Sequence, residues 1–360
     1  MQVIFKVFRQ TNGTSPKFQD YRLDMEPGTT ILDCLNRIKW EQDGTLAFRK
    51  NCRNTICGSC SMRINGRSAL ACKENVGSEI KRLQAASESV PEAELTSGTA
   101  PSWTANGIPV MTVAPMGNMP VIKDLVVDMD SFWQNLKAVD PYVSTASRHI
   151  PEREFLQTPE ERSRLNQVGN CILCGACYSE CNAREVNDTF VGPHALAKAY
   201  RMVADSRDQQ QDARLEQYNE ATAGVWGCTR CYYCNAVCPM EVAPMDQISK
   251  IKSAILDQKA ARSSVSIRHR KTLVDLVKKG GWVDERQFGL RVVGNSFRDI
   301  RGILSLAPLG LRMMATGKFP LTFEKSEGTA AVRSLIESVE RIDQSAIVEP
   351  LTDTPEPVGG

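Results

Sequence analysis

Eight of the chain's cysteines stand in two identical runs: Cys171, Cys174, Cys177, Cys181, and Cys228, Cys231, Cys234, Cys238. Each run reads C-x2-C-x2-C-x3-C, and only the second is followed by a proline, Pro239. Three cysteines two residues apart wrap a tight loop, so their sulfurs converge on one point. The fourth has turned away and reaches a different centre; in paired runs of this kind it ligates the other run's iron–sulfur cluster. Applied here, Cys171, Cys174, Cys177 and Cys238 hold one [4Fe–4S] cluster, and Cys228, Cys231, Cys234 and Cys181 hold a second. Structural zinc also uses CxxC pairs, but it rarely needs four cysteines packed this closely twice over.

A third constellation, Cys52, Cys57, Cys60 and Cys72, is spaced C-x4-C-x2-C-x11-C. Its first three members match the loop of plant-type [2Fe–2S] sites. Gly58 and Ser59 are small enough to let backbone amides approach cluster sulfides. The fourth cysteine is delivered by a hairpin: Met62–Ile64 and Arg67–Ala71 flank Asn65-Gly66, a strong two-residue turn signal. Ile64 then pairs with Arg67, Cys60 lies opposite Ala71, and Cys72 folds back beside it. Cys34 has no cysteine at ligand spacing and reads as a buried apolar filler. His149, His194 and His269 each lack a second ligand at helical spacing and read as surface or capping residues.

The elements that must position these cysteines are legible around them. Val3–Phe8 and Tyr21–Met25 read as strands, and Gly28-Thr29-Thr30 opens a helix with Ile31, Leu35 and Ile38 on one face. Strands, one helix and a cysteine loop in this order predict a β-grasp [2Fe–2S] ferredoxin module. Thr158-Pro159-Glu160-Glu161 is a helix start ending near Gly169, just before Cys171. Gly192-Pro193 opens another helix, and Asp246–Ala260 a third. Helices bracketing two cysteine runs predict an α-helical two-cluster ferredoxin domain.

With 360 residues there is room for two or three cores, and 42% hydrophobic with 24% charged residues fits a soluble globular protein. Thirteen cysteines grouped at ligand spacing argue for metal over disulfides and for a reducing, cytoplasmic setting. The opening MQVIFKVFRQ lacks the zones of a secretory signal, and no apolar run approaches a membrane span. Net charge is +2, yet Arg262–Lys318 holds 12 basic against 4 acidic residues. Such a basic segment on an otherwise acidic chain suggests a docking surface for an acidic partner or anionic lipid, or a solvated helix face.

NCRNTICGSCSMRINGRSALAC resembles the [2Fe–2S] motif of the iron–sulfur subunits of succinate dehydrogenase and fumarate reductase. MGNMPVIKDLVVDMDSFW is similar to that family's link between domains, and DTFVGPHALAKAYRMVADSRD to its helix after the first four-cysteine run. The resemblance covers residues 1 to about 258, apart from a loop insertion rich in Ser, Glu, Pro and Thr at 84–108. It implies α+β architecture: a β-grasp domain over 1–128, an α-helical ferredoxin domain over 129–258 and a mostly helical extension over 259–360. It also implies a linear relay. A partner flavoprotein carrying FAD oxidises succinate, and electrons run through the [2Fe–2S], first [4Fe–4S] and second centres toward quinone or a membrane-associated partner. No acid–base pair, nucleotide loop or nucleophile constellation stands out, so substrate chemistry is expected on the partner, and no nucleic acid is expected.

Two departures stand out. Many family members lack a cysteine at the position of Cys231 and hold a [3Fe–4S] cluster on the residues matching Cys181, Cys228 and Cys234. Here Cys231 completes a set for a second [4Fe–4S] cluster, the alternative being a three-iron cluster beside a free Cys231 thiol. The family's Pro and Trp after the cysteine matching Cys181, which line its quinone site, are replaced by Asn182-Ala183-Arg184-Glu185-Val186, and Thr229 stands where the family often has His. In the extension, Ala261–Lys279 reads as a basic helix and Phe297–Met314 as an amphipathic segment broken by Pro308. Val332–Ile342 reads as a last amphipathic helix, and 350–360 as a disordered tail. GLRMMATGKFPL is similar to heterodisulfide-reductase iron–sulfur subunits, whose corresponding part meets a partner with CCG motifs. The segment docks a partner, lies in a membrane interface or wraps its own domain. The reading is thus the electron-transfer subunit of a succinate dehydrogenase, membrane-associated through its complex on the cytoplasmic face. A fumarate, thiol:fumarate or heterodisulfide-type reductase subunit and a free ferredoxin-like carrier are the alternatives.

Overall fold

The computed structural model of the chain describes residues 1–11, 14–89, 103, 107–145, 154–258, 264–320 and 322–347, the side chains of 87–89 and 342–347 excepted. The chain divides into two compact units, Met1–Ala261 and Arg262–Gly360. A mixed sheet followed by many helices makes it α+β.

In the first unit, β1 (Gln2–Arg9) and β2 (Lys17–Asp24) pair antiparallel with Phe5 opposite Tyr21. Strand alternation sends Val3, Phe5 and Val7 into the core. Thr30 caps α1 (Ile31–Arg37), its hydroxyl accepting from the Asp33 N–H at 3.1 Å. Ile31, Leu35 and Ile38 are buried as their spacing predicts, and Cys34 fills the same core, where burial pushes its thiol up to about 12. β3 (Ser61–Ile64) and β4 (Arg67–Leu70) pair with Ile64 opposite Arg67. The turn residues Asn65 and Gly66 have φ of +50° and +79°, the left-handed pair that a two-residue hairpin needs. Beyond the hairpin, the Ala71 N–H donates to the Cys60 carbonyl at 3.1 Å.

The sheet's central strand, β5 (Val110–Ala114), is absent from the sequence reading; it runs parallel to β1 and antiparallel to β3, giving the order β2-β1-β5-β3-β4. α2 (Val76–Ser89) corrects the expected loop insertion, because Gln84–Ser89 continues the helix. Its Lys, Arg, Gln and Ala are strong helix formers, and no proline intervenes before Pro91. Most of the rest of 84–108 lies outside the described residues.

A small hairpin, β6 (Val121–Lys123) with β7 (Val126–Val127), and α3 (Asp130–Lys137) lead into the helical part. There follow α4 (Pro159–Gly169), α5 (Ala176–Ser179), α6 (Asn182–Val186), α7 (Pro193–Val203), α8 (Gln211–Tyr218), α9 (Tyr233–Ala236) and α10 (Pro244–Asp257). Thr158 and Glu161 form the expected capping box of α4, and Pro244 starts α10 two residues before the predicted Asp246. α7 packs on α10, burying Leu196 and Ala199 with Ile248, Ile251 and Ile255.

The second unit holds α11 (Val265–Gly280), α12 (Glu285–Val292), α13 (Ile300–Ala315) and α14 (Thr329–Ile347). Gly281, at φ +79°, terminates α11 as a left-handed C-cap. The break expected at Pro308 does not occur: α13 runs through it. A proline removes only one helical donor, and an exposed site lets solvent reach the carbonyl left behind. The predicted tail at 350–360 and His149 lie outside the described residues. Among the described residues no helix is long and apolar enough to cross a membrane.

Candidate metal centres

The two cysteine runs adopt the same backbone. In the first, Leu173 and Gly175 take φ of +54° and +84°; in the second, Arg230 and Tyr232 at the matching positions take +60° and +63°. Alternating right- and left-handed residues curl successive N–H groups toward one centre and make an anion-binding concavity. Each third cysteine, Cys177 or Cys234, then sits in a one-turn helix, α5 or α9. The fourth of each run has moved on: Cys181 is the N-cap of α6, and Cys238 follows α9.

This geometry sorts the eight thiols across the runs. Cys171, Cys174, Cys177 and Cys238 together line one apolar cavity with Ile172, Leu173, Pro239 and Val242. Burial pushes the Cys174 thiol up to about 11 and Cys177 well above the ordinary range; Cys238 and Cys171 add to the first shift, and Cys174, Cys171, Cys234 and Cys238 to the second. Cys181 and Cys234 rise to about 11 and about 12, burial first, with Cys228 and Cys231 as neighbours of both. Cys231 is exposed on the rim.

The third set surrounds a loop with Arg53, Thr55 and Gly58 at φ of +57°, +60° and +70°. The Asn54 and Cys57 N–H groups donate to Cys52 Sγ at 3.3 Å, and the Thr55 N–H to Cys72 Sγ at 3.3 Å. Burial raises the Cys57 thiol, but hydrogen bonds from Ser59 and from Cys52 outweigh it and bring it down to about 6. Cys60, buried just before β3, is pushed up by that burial to about 12.

These donors fit clusters better than single ions. Cys171, Cys174, Cys177 and Cys238 share a cavity, and backbone N–H groups point at the sulfurs of Cys52, Cys72 and Cys238, as iron–sulfur nests require. Buried thiols that resist ionisation become thiolates only when a cationic centre arrives with them.

The [2Fe–2S] loop lies directly against the first four-cysteine run. A Cβ on Gly58 would stand 2.8 Å from Cys174 Cα and 3.2 Å from the Ile172 carbonyl. A polar latch holds this approach: Arg63 donates to Glu180 at 2.8 Å, Ser68 to Ser179 at 2.7 Å, and the Gly117 N–H to Ser179 Oγ at 2.7 Å. Asn118 Nδ2 donates to the carbonyls of Tyr178 at 2.8 Å and Cys181 at 3.1 Å. None of these contacts was legible in the sequence, because their partners lie 60 or more residues apart.

His194 requires a correction. It is not at the surface but buried at the start of α7, stacked on Phe132 at 3.9 Å and edge-on to Tyr178 at 5.1 Å. Its Nε2 donates to the Phe132 carbonyl at 2.9 Å, and burial lowers its pKa to about 3, so the ring is neutral. It lines the cavity of Cys171, Cys174, Cys177 and Cys238. The long-range pairing with α3 that buries it left no local pattern. Arg184, in the stretch that departs from the family pattern, is also committed: its Nε donates to the Tyr178 hydroxyl at 2.8 Å and its Nη1 to the Phe190 carbonyl at 3.0 Å.

A mixed sheet carrying one cysteine loop, joined to helices carrying two more, defines a multi-centre iron–sulfur electron-transfer protein. Residues 4–134 match the family model of a 2Fe-2S iron-sulfur cluster binding domain, and residues 167–242 that of a 4Fe-4S dicluster domain. The chain is 36% identical over 255 residues to the mitochondrial succinate dehydrogenase (ubiquinone) iron-sulfur subunit 2 of Oryza sativa subsp. japonica, covering 69% of this chain and 73% of the relative. It is 33% identical over 254 residues to the corresponding subunit 3 of Arabidopsis thaliana, covering 69% and 74%. A chain of the Mycobacterium smegmatis Sdh1 complex in the apo form superposes with a TM-score of 0.55 at 25% identity, over 72% of this chain and 97% of that one. The chain belongs to the family of succinate dehydrogenase iron–sulfur subunits. Its role is electron transfer within that oxidoreductase complex.

Proposed function

We propose that the chain holds three clusters in line: [2Fe–2S] on Cys52, Cys57, Cys60 and Cys72, [4Fe–4S] on Cys171, Cys174, Cys177 and Cys238, and a second [4Fe–4S] on Cys181, Cys228, Cys231 and Cys234. The cross-run grouping of the eight thiols, with Cys231 among the second four, is the observation that carries this reading. When bound, such clusters supply one-electron redox centres. The chain's own part is to keep the thiols buried, aim amides at sulfur and hold Gly58 against Cys174, so that the first two nests share a backbone contact. We divide it into a β-grasp domain (1–128), an α-helical ferredoxin domain (129–258) and an extension (259–360). The flavin-side entrance is the Cys52 loop and the exit the Cys181 nest. The partners are an FAD-containing flavoprotein and a membrane-anchor or CCG-motif subunit, at the cytoplasmic face of a membrane. From there electrons pass toward quinone, directly or through the membrane-associated partner.

Anaerobic purification with iron and acid-labile sulfide assays tests the assignment. The expected yield is about ten irons and ten sulfides per chain. Electron paramagnetic resonance of the oxidised protein is expected to be silent for wild type and to show a three-iron signal for Cys231→Ser. A stoichiometric three-iron signal in wild type removes Cys231 from the ligand set, and zinc in place of iron and sulfide ends the whole assignment.

A further inference from the structure

Within the second unit, α13 has three distinct stripes. Ile303, Leu306, Gly310 and Met313 face their own unit: a Cβ on Gly294 would meet Ile303, one on Gly289 would meet Leu306, and one on Gly310 would meet Phe319. Ile300, Leu304, Leu311 and Met314 are instead 69%, 65%, 63% and 55% exposed. At 100° per residue these four fall within about 80° of one another, a continuous apolar strip along the helix. Arg301 and Arg312 lie within about 20° of each other on the adjoining stripe. Neither guanidinium has an ion pair or hydrogen bond among the described residues, and Ile300–Ala315 contains no Asp or Glu.

An apolar strip that its own unit leaves bare needs a cover, and the flanking charge selects it. The Leu, Ile and Met side chains match an acyl boundary, while arginines beside them reach a headgroup layer with their stems on apolar surface. The surplus of 12 basic over 4 acidic residues across Arg262–Lys318 draws this unit toward a negative surface before contact. Pro308 leaves the Leu304 carbonyl without its helical donor, which suits a helix lying at a wet boundary and not one sealed in a dry interface.

We propose that α13 is an interfacial docking helix for an anionic phospholipid bilayer, with the Ile300–Leu304–Leu311–Met314 strip entering the acyl boundary and Arg301 and Arg312 on the lipid phosphates. This contact is made by the chain itself and is independent of which clusters the cysteines hold.

Flotation of the full cluster-loaded chain, without partner subunits, tests it. The probe is vesicles of equal parts phosphatidylglycerol and phosphatidylcholine, with pure phosphatidylcholine alongside. Wild type is expected to float with the anionic vesicles and to be released as salt rises. Leu304→Glu with Leu311→Glu is expected to bind about tenfold more weakly or worse. Arg301→Glu with Arg312→Glu is expected to lose the preference for anionic vesicles, since each basic residue contributes roughly fivefold. All four positions are exposed, and unchanged far-ultraviolet circular dichroism with an unchanged thermal transition verifies that the helices of the second unit fold. Wild type that stays unbound to anionic vesicles overturns the proposal, as does equal flotation of wild type and the double-leucine variant. A wild-type dimer that the leucine substitutions dissociate, with no flotation, assigns the strip to a second copy and also overturns it.

Discussion

Gly58 shows how a single missing methyl group sets a distance. Its φ of +70° and that of Gly66, +79°, are both left-handed, so alanine strains both sites alike. Their surroundings differ: nothing lies within 4 Å of a Cβ on Gly66, whereas one on Gly58 would strike the Cys174 backbone at 2.8 Å. Backbone cannot turn aside like a flexible side chain, so the two loops must separate. Gly58→Ala is therefore expected to lose about 1–3 kcal/mol more than Gly66→Ala in denaturant titrations. Magnetic coupling between the [2Fe–2S] and adjacent centres is expected to weaken in Gly58→Ala alone. Equal losses for the two variants would remove Gly58 from the contact. His194 carries a related lesson: a histidine with no sequence partner became a core residue because Phe132 and Tyr178 arrive from elsewhere to enclose it.

At the scale of elements, short helices place the thiols and longer ones hold the short ones still. α4 ends at Gly169, two residues ahead of Cys171, and its first turn is secured by the Thr158–Glu161 box, with Glu161 N–H to Thr158 Oγ1 at 3.2 Å and Thr158 N–H to Glu161 Oε2 at 2.8 Å. Thr158→Ala is expected to weaken that turn by about 1 kcal/mol. Hydrogen exchange would register it as faster exchange of the Glu161 and Arg162 amides, with the α10 amides unchanged. The paired left-handed residues of the two runs belong to this scale too. Tyr232 occupies the conformation that Gly175 adopts freely, so the second loop carries strain of the order of 1–2 kcal/mol that the first avoids. It is held there by the helices on either side of it.

Across the first unit, buried carboxylates couple stability to pH. Asp208 receives Arg214 at 2.9 Å, both nearly inaccessible, and Arg214 also reaches the carbonyls of Asp140 at 2.9 Å and Tyr142 at 2.6 Å. Burial raises the Asp205 and Asp208 pKa values, but Arg207 and Arg201 on Asp205, and Arg214 on Asp208, outweigh it and hold both below the usual carboxylate range. A group whose folded pKa is depressed binds fewer protons folded than unfolded. Its stabilisation is full above the ordinary carboxylate pKa, about 4, and is lost as pH falls through the folded value. Wild type is thus expected to lose stability as pH drops below about 4, and Asp208→Asn to lose less over that window. At neutral pH the same variant strands Arg214 and is expected to be less stable by about 3–5 kcal/mol. Thermal inactivation of the two proteins across pH measures both effects, and parallel profiles would refute the assignment to Asp208.

Spacing alone determined the chemistry of this protein. Three cysteine constellations, the Asn65-Gly66 turn that returns Cys72 and the α4 capping box are all patterns within a few residues, where loop geometry is a local property. Periodicity likewise located the helices around them. The tertiary structure alone decided which distant pieces meet: β5 entering the middle of the sheet, His194 closing between two rings, Gly58 resting on Cys174, and α13 continuing through Pro308 with one apolar strip left bare. The physical reason is the same in each case. Burial depends on what the rest of the chain brings alongside, and neither a residue's type nor its neighbours in sequence carry that information.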